Sequence, residues 1–454
     1  MIISIGRYRA IGLAVLFYLV GGIDCHAQRI MTLGECVVAA KAGNAKAREA
    51  QFDIRTAEEQ RRYARSKYLP MLQASAFHFE STDYLVKKSL LGEEWQEALE
   101  EINQALGLNM TGHFNFVKKG TSTGLTMIEP LYTGGRITNY NKLADLQVEA
   151  RNLQKDMAED DIVQATEALF FRLLELHHTD KTLRAAEQQV ESIGRDARNA
   201  FDNGIVSRND LLSVELAQDQ LAALRIKLDN GRRLLRRALA QQIGQPDEDI
   251  DIDTAIAASI VSPEQLLTDV SSAVESRTEA RLLDLNVRRS QLESKIARAD
   301  MLPVFAVGGM VNYSNLLENW GGKGIGFVVM QLPISSLWSE RHEYRRRKIE
   351  EQKALDFRKD KREMMSLQIR DAYDNLVSSY QQTLVAAKSI EKADENLRMC
   401  REQYRNGMVN MTVVLEAQSK QQQAQTQHVA ALSDYLQCKT KYLILTGRRH
   451  ETLY

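Results

Sequence analysis

The segment Phe201-Asp202-Asn203-Gly204 recurs 203 residues later as Tyr404-Arg405-Asn406-Gly407. Three further pairs keep the same offset: Pro130 and Pro333, Leu212 and Leu415, Gly244 and Gly447. A tandem duplication held in register over this distance determines the architecture before local propensities are considered. It predicts two repeats, at about residues 31–245 and 263–447, joined by an acidic linker at 246–262.

Each repeat has the same predicted order of elements: helix, strand, loop, strand, very long helix, tight turn and second helix. In the first repeat the patterns predict helices at 32–69, 136–201 and 208–243 and strands at 73–81 and 121–129. In the second they predict strands at 304–313 and 324–332 and helices at 339–405 and 412–445. No proline lies inside a long helical run, where it would remove a hydrogen bond and clash with the preceding turn.

The two longest predicted helices have about 65 residues each, which corresponds to roughly 100 Å at 1.5 Å per residue. Helices of that length depend on lateral packing against other helices. Both carry an apolar seam with a seven-residue period, which predicts coiled-coil-like packing. The seam positions are Ile162, Leu169, Leu176, Leu183, Val190 and Ala197 in the first helix and Ile369, Leu376, Thr383, Ile390, Leu397 and Tyr404 in the second. An ordinary helical bundle also explains the seam, but not the helix length or the strands.

The two strands of the second repeat carry β-branched and aromatic residues at alternate positions. Their length of about nine to eleven residues suits a tilted strand that crosses an outer membrane. We expect seven of these side chains to face lipid: Phe305, Val307, Val311, Tyr313, Ile325, Phe327 and Val329. A soluble hairpin packed on a helix is the alternative for each strand alone. Because four strands cannot close a barrel and open edges are not tolerated in lipid, the membrane hypothesis requires oligomerisation.

The first residues have the pattern of an export signal. Arg7 and Arg9 precede the apolar run Ile11 to Val20, and Cys25-His26-Ala27 is an acceptable cleavage site. We therefore interpret residues 1–27 as a signal peptide and 28–454 as the mature protein. A lipid anchor at Cys25 is the alternative, which Gly22-Ile23-Asp24 disfavours because it is a poor lipobox.

Composition excludes several classes of function. After cleavage an odd number of cysteines remains, Cys36, Cys400 and Cys438, which argues against a disulfide framework. No Cys or His spacing suits a metal, and no residues resemble a nucleophile with its base and oxyanion donor. The net charge is −1, with acidic and basic residues interspersed, which is typical of solvated helices and not of a nucleic-acid-binding protein. We expect no enzyme activity, no cofactor and no metal.

Several motifs together resemble those of the TolC family of outer-membrane efflux and type I secretion channels. They occur in the family's order and spacing across essentially the whole mature chain: Thr32-Leu33-Gly34-Glu35-Cys36, Tyr68-Leu69-Pro70, Glu129-Pro130-Leu131-Tyr132-Thr133-Gly134-Gly135-Arg136, and the turns from Asn203-Gly204 to Leu212 and from Asn406-Gly407 to Ala417.

The resemblance implies a mainly α fold with a small β part. Very long coiled-coil helices would form a periplasmic tunnel, and four strands from each protomer would contribute to a trimeric, 12-stranded barrel in the outer membrane. The chain would be a homotrimer in the cell outer membrane with most of its residues in the periplasm. It would act as a passive exit duct that works with a periplasmic adaptor protein and an inner-membrane transporter of the RND or ABC type.

The resemblance also implies that the turns at Gly204 and Gly407 lie at the periplasmic tip, where the gate is. Glu416 falls on one of the two acidic ring positions of the family, whereas the other is Val413 here. Asp210 matches the linking acid of the first repeat. Its usual basic partner is absent, with Val409 in that place, and Arg208 is a candidate substitute.

Two other functions compete with the channel. The first is a periplasmic coiled-coil adaptor or scaffold of an export system, which would need a soluble β-domain with a buried core. The second is an exported enzyme on a helical frame, which the absence of any recognisable site disfavours. The sequence does not identify the cargo, which could be a drug, a dye, a metal or a polypeptide, nor the transporter and adaptor that would be its partners.

Overall fold

A computed structural model describes residues 29–83, 86–89, 99–100, 102–103, 113–116, 118–204, 207–254, 260–315 and 320–448. The predicted signal peptide, residues 1–27, lies outside the described residues. The described cysteines Cys36, Cys400 and Cys438 are all free thiols.

The repeated element order is present. The described helices are α1 (Leu33–Gly43), α2 (Ala45–Ser66), α3 (Arg136–Asp202), α4 (Arg208–Gln242), α5 (Val270–Ser276), α6 (Thr278–Ala299), α7 (Ser336–Arg405) and α8 (Met411–Leu445). The described strands are β1 (Arg29–Met31), β2 (Met71–Glu80), β3 (Val86–Ser89), β4 (His113–Phe116), β5 (Lys119–Thr133), β6 (Ile250–Ile252), β7 (Val304–Ser314) and β8 (Gly321–Gln331). A 3₁₀ turn covers Pro263–Leu266.

The long helices confirm the prediction closely. α3 has 67 residues and α7 has 70, and each is followed by a 35-residue helix that begins at the equivalent position, Arg208 in α4 and Met411 in α8. At 1.5 Å per residue, α3 and α7 are each about 100 Å long.

The chain divides into two compact units, and α3 and α7 contribute residues to both. The first unit comprises residues 1–54, 151–283 and 359–454, and the second comprises 55–150 and 284–358.

In the first unit the predicted seam is buried. Eight of its positions are at most 4% exposed: Ile162, Leu183, Val190, Ala197, Ile369, Leu376, Thr383 and Leu397. The polar seam residue Thr383 is accommodated because its hydroxyl donates to the carbonyls of Ser379 and Ala431, at 2.9 and 3.1 Å. The core also contains Phe170 and Phe171, fully buried with their rings edge to face at 6.0 Å. The seam period alone does not identify these two residues.

Near the helical turns the four long helices share a separate apolar cluster. Its buried members are Val190, Ala197, Val214, Leu397, Cys400, Met411, Val414 and Ala417. Every one of α3, α4, α7 and α8 contributes to it. Lateral packing therefore continues to the end of each long helix.

Two details of the first unit differ from the prediction. The helix predicted at 32–69 is broken at Asn44, whose backbone is extended at φ −67° and ψ 143°. The Asn44 side chain makes the break favourable, since its Oδ1 accepts from the Lys46 amide at 2.9 Å and its Nδ2 donates to the Gln242 carbonyl at 2.8 Å.

The acidic segment 246–262 is more than a linker, because it contains strand β6. This strand pairs in parallel with β1, in the register Arg29 to Ile250 and Met31 to Ile252. Ile250 and Ile252 are buried, whereas the acidic residues around them obscure this short alternation in the sequence.

Both long helices end at a glycine in the left-handed region, as the Asn-Gly motifs predict. Gly204 and Gly407 each have φ of 72°. After α7 the amide of Gly407 donates to the Tyr404 carbonyl and that of Met408 to the Gln403 carbonyl, both at 2.9 Å. This pair of bonds is a Schellman motif, which satisfies carbonyls that the end of a helix leaves open.

We predict that Gly244→Ala destabilises the protein much more than Gly407→Ala. Both glycines have positive φ, 80° and 72°, which costs a non-glycine residue about 1–2 kcal/mol. A Cβ at Gly407 would meet nothing within 4 Å, whereas one at Gly244 would lie 2.3 Å from the Gly43 carbonyl oxygen. Thermal unfolding of the detergent-solubilised protein, followed by circular dichroism, measures both variants. Equal losses would contradict the close approach of Gly43 and Gly244.

Candidate functional site

The second unit contains a four-stranded antiparallel sheet in the order β2-β5-β7-β8. Its strands have 10, 15, 11 and 11 residues. A register shift between Pro130 and Tyr132 accommodates Pro130, which lacks an amide donor and is tolerated in strands mainly at bulges.

The register corrects one prediction. In an antiparallel pair, residues directly opposite each other have side chains on the same face of the sheet. Val311 is opposite Leu125 and Gly324, whereas Phe327 is opposite Gly308. Consequently Phe305, Val307, Val311 and Tyr313 lie on one face, and Ile325, Phe327 and Val329 lie on the other. The seven residues predicted together as lipid-facing cannot all face lipid.

We call the first surface the Val311 face. Besides the four β7 residues it carries Leu72, Leu125, Met127, Val328 and Met330, all more than 40% exposed. Aromatic pairs lie at both of its ends: Tyr132 with Phe305, ring centroids 6.2 Å apart, and Tyr313 stacked on Trp320 at 5.2 Å. Tyr313 is eight positions after Phe305, which corresponds to about 27 Å along an antiparallel strand. An exposed apolar band of about 25 Å between aromatic girdles is the pattern of a strand that spans an outer membrane.

The opposite surface, the Phe327 face, is mixed in character. It carries Gln73, Ser75, Ser122, Thr126, Asn312 and Lys323 beside the apolar Ile325, Phe327 and Val329. Ser122 is buried and its hydroxyl donates to Asn312 Oδ1 at 2.7 Å. The ring of Phe327 covers Gly308 so closely that a Cβ there would lie 2.5 Å from it. The Phe327 face also carries the apolar Phe77, Ile128 and Met310, and the Val311 face also carries His78, Thr123 and Glu129, so both faces mix apolar and polar residues. The aromatic pairs at both ends distinguish the Val311 face.

In the first unit, the two helical turns hold the predicted tip residues. Asp210 closes a capping box at the start of α4, because its carboxylate accepts from the Ser207 hydroxyl at 2.7 Å and amide at 3.2 Å. Residues 205 and 206 lie outside the described part of the chain. The carboxylate predicted to link neighbouring coiled coils thus has an intramolecular role at its own helix end.

The other tip candidates are exposed. Glu416 and Arg208 are both solvent-accessible, and neither forms an ion pair with another described residue. Val413, which replaces the second acid of the family pattern, is 36% exposed on the first turn of α8. The structure does not bring Arg208 into contact with Asp210, because the latter is engaged by Ser207.

A polar contact between α7 and α8, close to Glu416, was missed by the sequence reasoning. Arg401 donates to Gln418 Oε1 at 3.1 Å, and Gln421 donates to Asp394 at 2.7 Å. Partial burial, and then the neighbouring charge of Arg405, lower the pKa of Arg401. No sequence motif marks this pairing, because polar residues are frequent in both helices outside their buried apolar positions.

Within the part of the chain that the structure describes, every helix is too polar or too short to span a lipid bilayer. In the same residues no cluster of histidine, cysteine, aspartate or glutamate side chains could hold a metal ion.

The chain combines an exposed sheet that has aromatic pairs at both ends with two pairs of long helices, of 67 and 35 residues and of 70 and 35 residues. An exposed apolar sheet face between aromatic residues is typical of channel proteins of the bacterial outer membrane. Residues 270–441, in the second repeat, match the sequence profile of the outer membrane efflux protein family. No protein of curated function matches the sequence.

Solved structures with the same fold agree. The chain is similar to the outer membrane protein VceC of Vibrio cholerae, with a TM-score of 0.72, 15% identity, and coverage of 91% of this chain and 96% of that one. It is similar to the CmeC outer membrane channel of Campylobacter jejuni, with a TM-score of 0.73, 15% identity and coverage of 93% and 87%. It is also similar to the MtrE outer membrane channel of Neisseria gonorrhoeae in its open state, with a TM-score of 0.68, 16% identity, and coverage of 93% of this chain and 91% of that one. The predicted resemblance to TolC-type channels is confirmed, by the family match over the second repeat and by the fold over most of the chain.

Substitutions at Asp210 can distinguish a capping role from an intersubunit role. Asp210→Asn keeps an acceptor for Ser207, so it should leave stability nearly unchanged, whereas Asp210→Ala should cost about 1 kcal/mol of the free energy of unfolding. Thermal unfolding of the assembled protein provides the comparison. If the asparagine variant loses as much stability as the alanine variant, the negative charge of Asp210 interacts with a group other than Ser207, and capping is not the main role of this residue.

Proposed function

We propose that this protein is a passive exit duct of the outer membrane for the efflux of small molecules or for type I protein export. The observation that carries the proposal is the Val311 face, an apolar band about 27 Å long with aromatic pairs at both ends. In this proposal the Val311 face contacts lipid, and the Phe327 face lines the lumen. Phe305, Val307, Val311 and Tyr313 keep their predicted lipid-facing role, and Ile325, Phe327 and Val329 become lumenal.

The free edges of the sheet support a homotrimer. Among the described residues, β2 and β8 each pair on one side only, which leaves the backbone groups of Met71–Glu80 and Gly321–Gln331 without described strand partners on their outer sides. An unpaired edge is too costly to leave in lipid. Pairing β8 of one protomer with β2 of the next satisfies both edges, and three copies give a closed barrel of twelve strands.

The long helices fit a periplasmic tunnel beneath such a barrel. Most of the chain would then lie in the periplasm, with the Gly204 and Gly407 turns at the far end. The family match and the outer membrane channels of similar fold support this role. A periplasmic adaptor and an inner-membrane transporter, of the RND or ABC type, would dock there and supply the energy. Because the chain would conduct and not catalyse, no enzyme activity or cofactor is part of the proposal.

The periplasmic adaptor or scaffold is the weaker alternative. An adaptor requires a β-domain that closes around its own apolar core. The Val311 face is not enclosed in this way, because Val311, Val328 and Met330 are 61%, 76% and 62% exposed. An apolar sheet face with this exposure needs lipid or another protein to cover it.

At the tip, Glu416 is the acid that we propose lines the narrowest part of the lumen. Three copies around one axis would attract cations and repel one another. The ring would be single, because Val413 occupies the second position. The exposure of Glu416 and its lack of an ion pair among the described residues are compatible with this role.

The neighbouring residues Val311 and Asn312 test which face contacts lipid. Val311 lies two residues from the aromatic end of the band. Val311→Arg should therefore reduce assembly at a cost below the roughly 2–4 kcal/mol of the bilayer midplane, whereas Asn312→Arg and Ile325→Arg should be tolerated. The measurement is the amount of heat-modifiable oligomer in the outer membrane fraction. Loss with Asn312→Arg and retention with Val311→Arg would reverse the faces, and a water-soluble monomer would refute the channel.

Removal of the charge at Glu416 tests whether three copies of this residue form an acidic ring in the lumen. We expect Glu416→Ala to weaken block by divalent cations and reduce cation selectivity in planar bilayers. Glu402→Ala is a matched control, since Glu402 is an exposed acid near the same turn that is already paired with Arg398 at 2.9 Å. Identical conductance and block in the wild type and Glu416→Ala would exclude an acidic ring at this position.

A further inference from the structure

A histidine in the first unit lies between two of its elements and is not used by the proposed channel function. His177 of α3 has 22% of its side chain exposed and faces Arg232 of α4 and Asp251 of β6. Its Nε2 is 3.1 Å from Arg232 Nη2, and its Nδ1 is 3.8 Å from Asp251 Oδ1. Arg232 Nη2 also donates to Asp251 Oδ2 at 2.8 Å. The three side chains thus connect α3, α4 and β6.

The contact with Arg232 determines the protonation state of His177. A guanidinium group has only donors, so the nitrogen that faces it must accept. Nε2 therefore carries no hydrogen, and the neutral ring carries its hydrogen on Nδ1. Nδ1 is buried and has no hydrogen-bond partner, and the carboxylate of Asp251 is the charge that it faces.

The strand at this contact is short. β6 has three residues, Ile250 to Ile252, and in the described part of the chain it pairs with the three residues of β1, while Ile250 and Ile252 are buried in the core. Arg236 of α4 adds a hydrogen bond from Nε to the Ile250 carbonyl at 2.8 Å. Asp251 is 5% exposed, and Arg232 is an ion-pair partner of its carboxylate at 2.8 Å. Loss of the Arg232 geometry would therefore weaken the attachment of β6.

We propose that His177, Arg232 and Asp251 form an acid-sensitive clasp that holds β6 against α3 and α4 while His177 is neutral and loosens when His177 is protonated. Protonation puts a hydrogen on Nε2, which abolishes the acceptor and places two cations in contact. Arg232 must then move away from His177, and its bond to Asp251 is strained or lost. This inference does not depend on transport by the protein.

The charges around His177 favour its neutral form. Burial, followed by the positive charge of Arg232, lowers the pKa of His177, whereas Asp251 of β6 and Asp180 of α3 act in the opposite direction. Asp180 is largely compensated, because it is paired with Arg225 of α4 and with Arg184 at 2.9 Å. His178, the next residue of α3, adds a smaller effect that lowers the pKa of His177.

The sign of the pH effect follows from linkage. The unfolded histidine has a pKa near 6.5, above that in the folded protein, so the unfolded state binds more protons as the pH falls below about 6.5. The stabilisation by neutral His177 is therefore complete above this pH and is lost on acidification. Carboxylates with ordinary pKa values titrate at lower pH and contribute little between pH 5.5 and 7.5. Burial raises the pKa of Glu175, two residues before His177, so the part of the pH effect that belongs to the clasp is the part that His177→Gln removes.

Hydrogen–deuterium exchange on the full-length protein in detergent tests the clasp. The readout is the protection of the β6 amides and of the Asp253 amide, which donates to the Met31 carbonyl at 2.9 Å. We expect protection in the wild type, corrected for intrinsic exchange, to fall several-fold between pH 7.5 and 5.5. His177→Gln should abolish this fall, because the Gln amide oxygen can accept from Arg232 and does not titrate.

His178→Gln is the matched control, since His178 is adjacent and also has a pKa lowered by burial and by Lys181, but makes no contact with Arg232 or Asp251 in the described structure. This variant should keep the wild-type pH dependence. Equal pH dependence in the wild type and His177→Gln overturns the proposal. NMR of the wild type with ¹³C-labelled histidine is the second measurement, and a His177 ring that titrates at or above 6.5 also overturns it.

Discussion

Lateral packing along the seven-residue seam is the constraint on which the rest of the structure depends. Helices of 67 and 70 residues have no tertiary support except what their neighbours provide. Their neighbours are α4 and α8 in the first unit, whereas in the second unit α3 contacts α2 and α7 contacts α6. The seam residues from Ile162 to Ala197 and from Ile369 to Leu397 provide the packing in the first unit, and polar residues on the other faces keep the helices solvated. The left-handed glycines then end each long helix where its shorter partner begins to return.

The sheet in the second unit follows a different rule. Its stability comes from a backbone ladder, so its side chains are free to meet two environments, and the register decides which residues face each one. The aromatic pairs Tyr132–Phe305 and Tyr313–Trp320 lie on the same face because the bulge after Pro130 brings Tyr132 opposite Phe305. One irregularity in a central strand thus completes the band that defines the proposed membrane surface.

Much of this fold could be predicted from the sequence, because the duplication, the Asn-Gly turns and the seam are local or periodic signals. The predicted bounds of the four long helices, 136–201, 208–243, 339–405 and 412–445, differ from the observed ones by no more than three residues at every end. That Val311 and Ile325 lie on opposite faces was not predictable, since alternation within each strand says nothing about the register between strands. β6 was missed because Ile250 and Ile252 are surrounded by acids. At the tip, Asp210 could be located by motif, but its partner depends on the capping geometry of Ser207.

The pairing of β1 with β6 has a consequence for how the protein acquires its structure. β1 ends at Met31 and its partner strand begins at Ile250, so a contact of three residues closes a loop that contains almost all of the first repeat. Contacts between residues so distant along the chain slow folding, because the entropy of closing the loop is lost before the contact stabilises anything. The order of events during folding is thereby constrained. β1 cannot pair until α3 and α4 have formed and have brought β6 close to it.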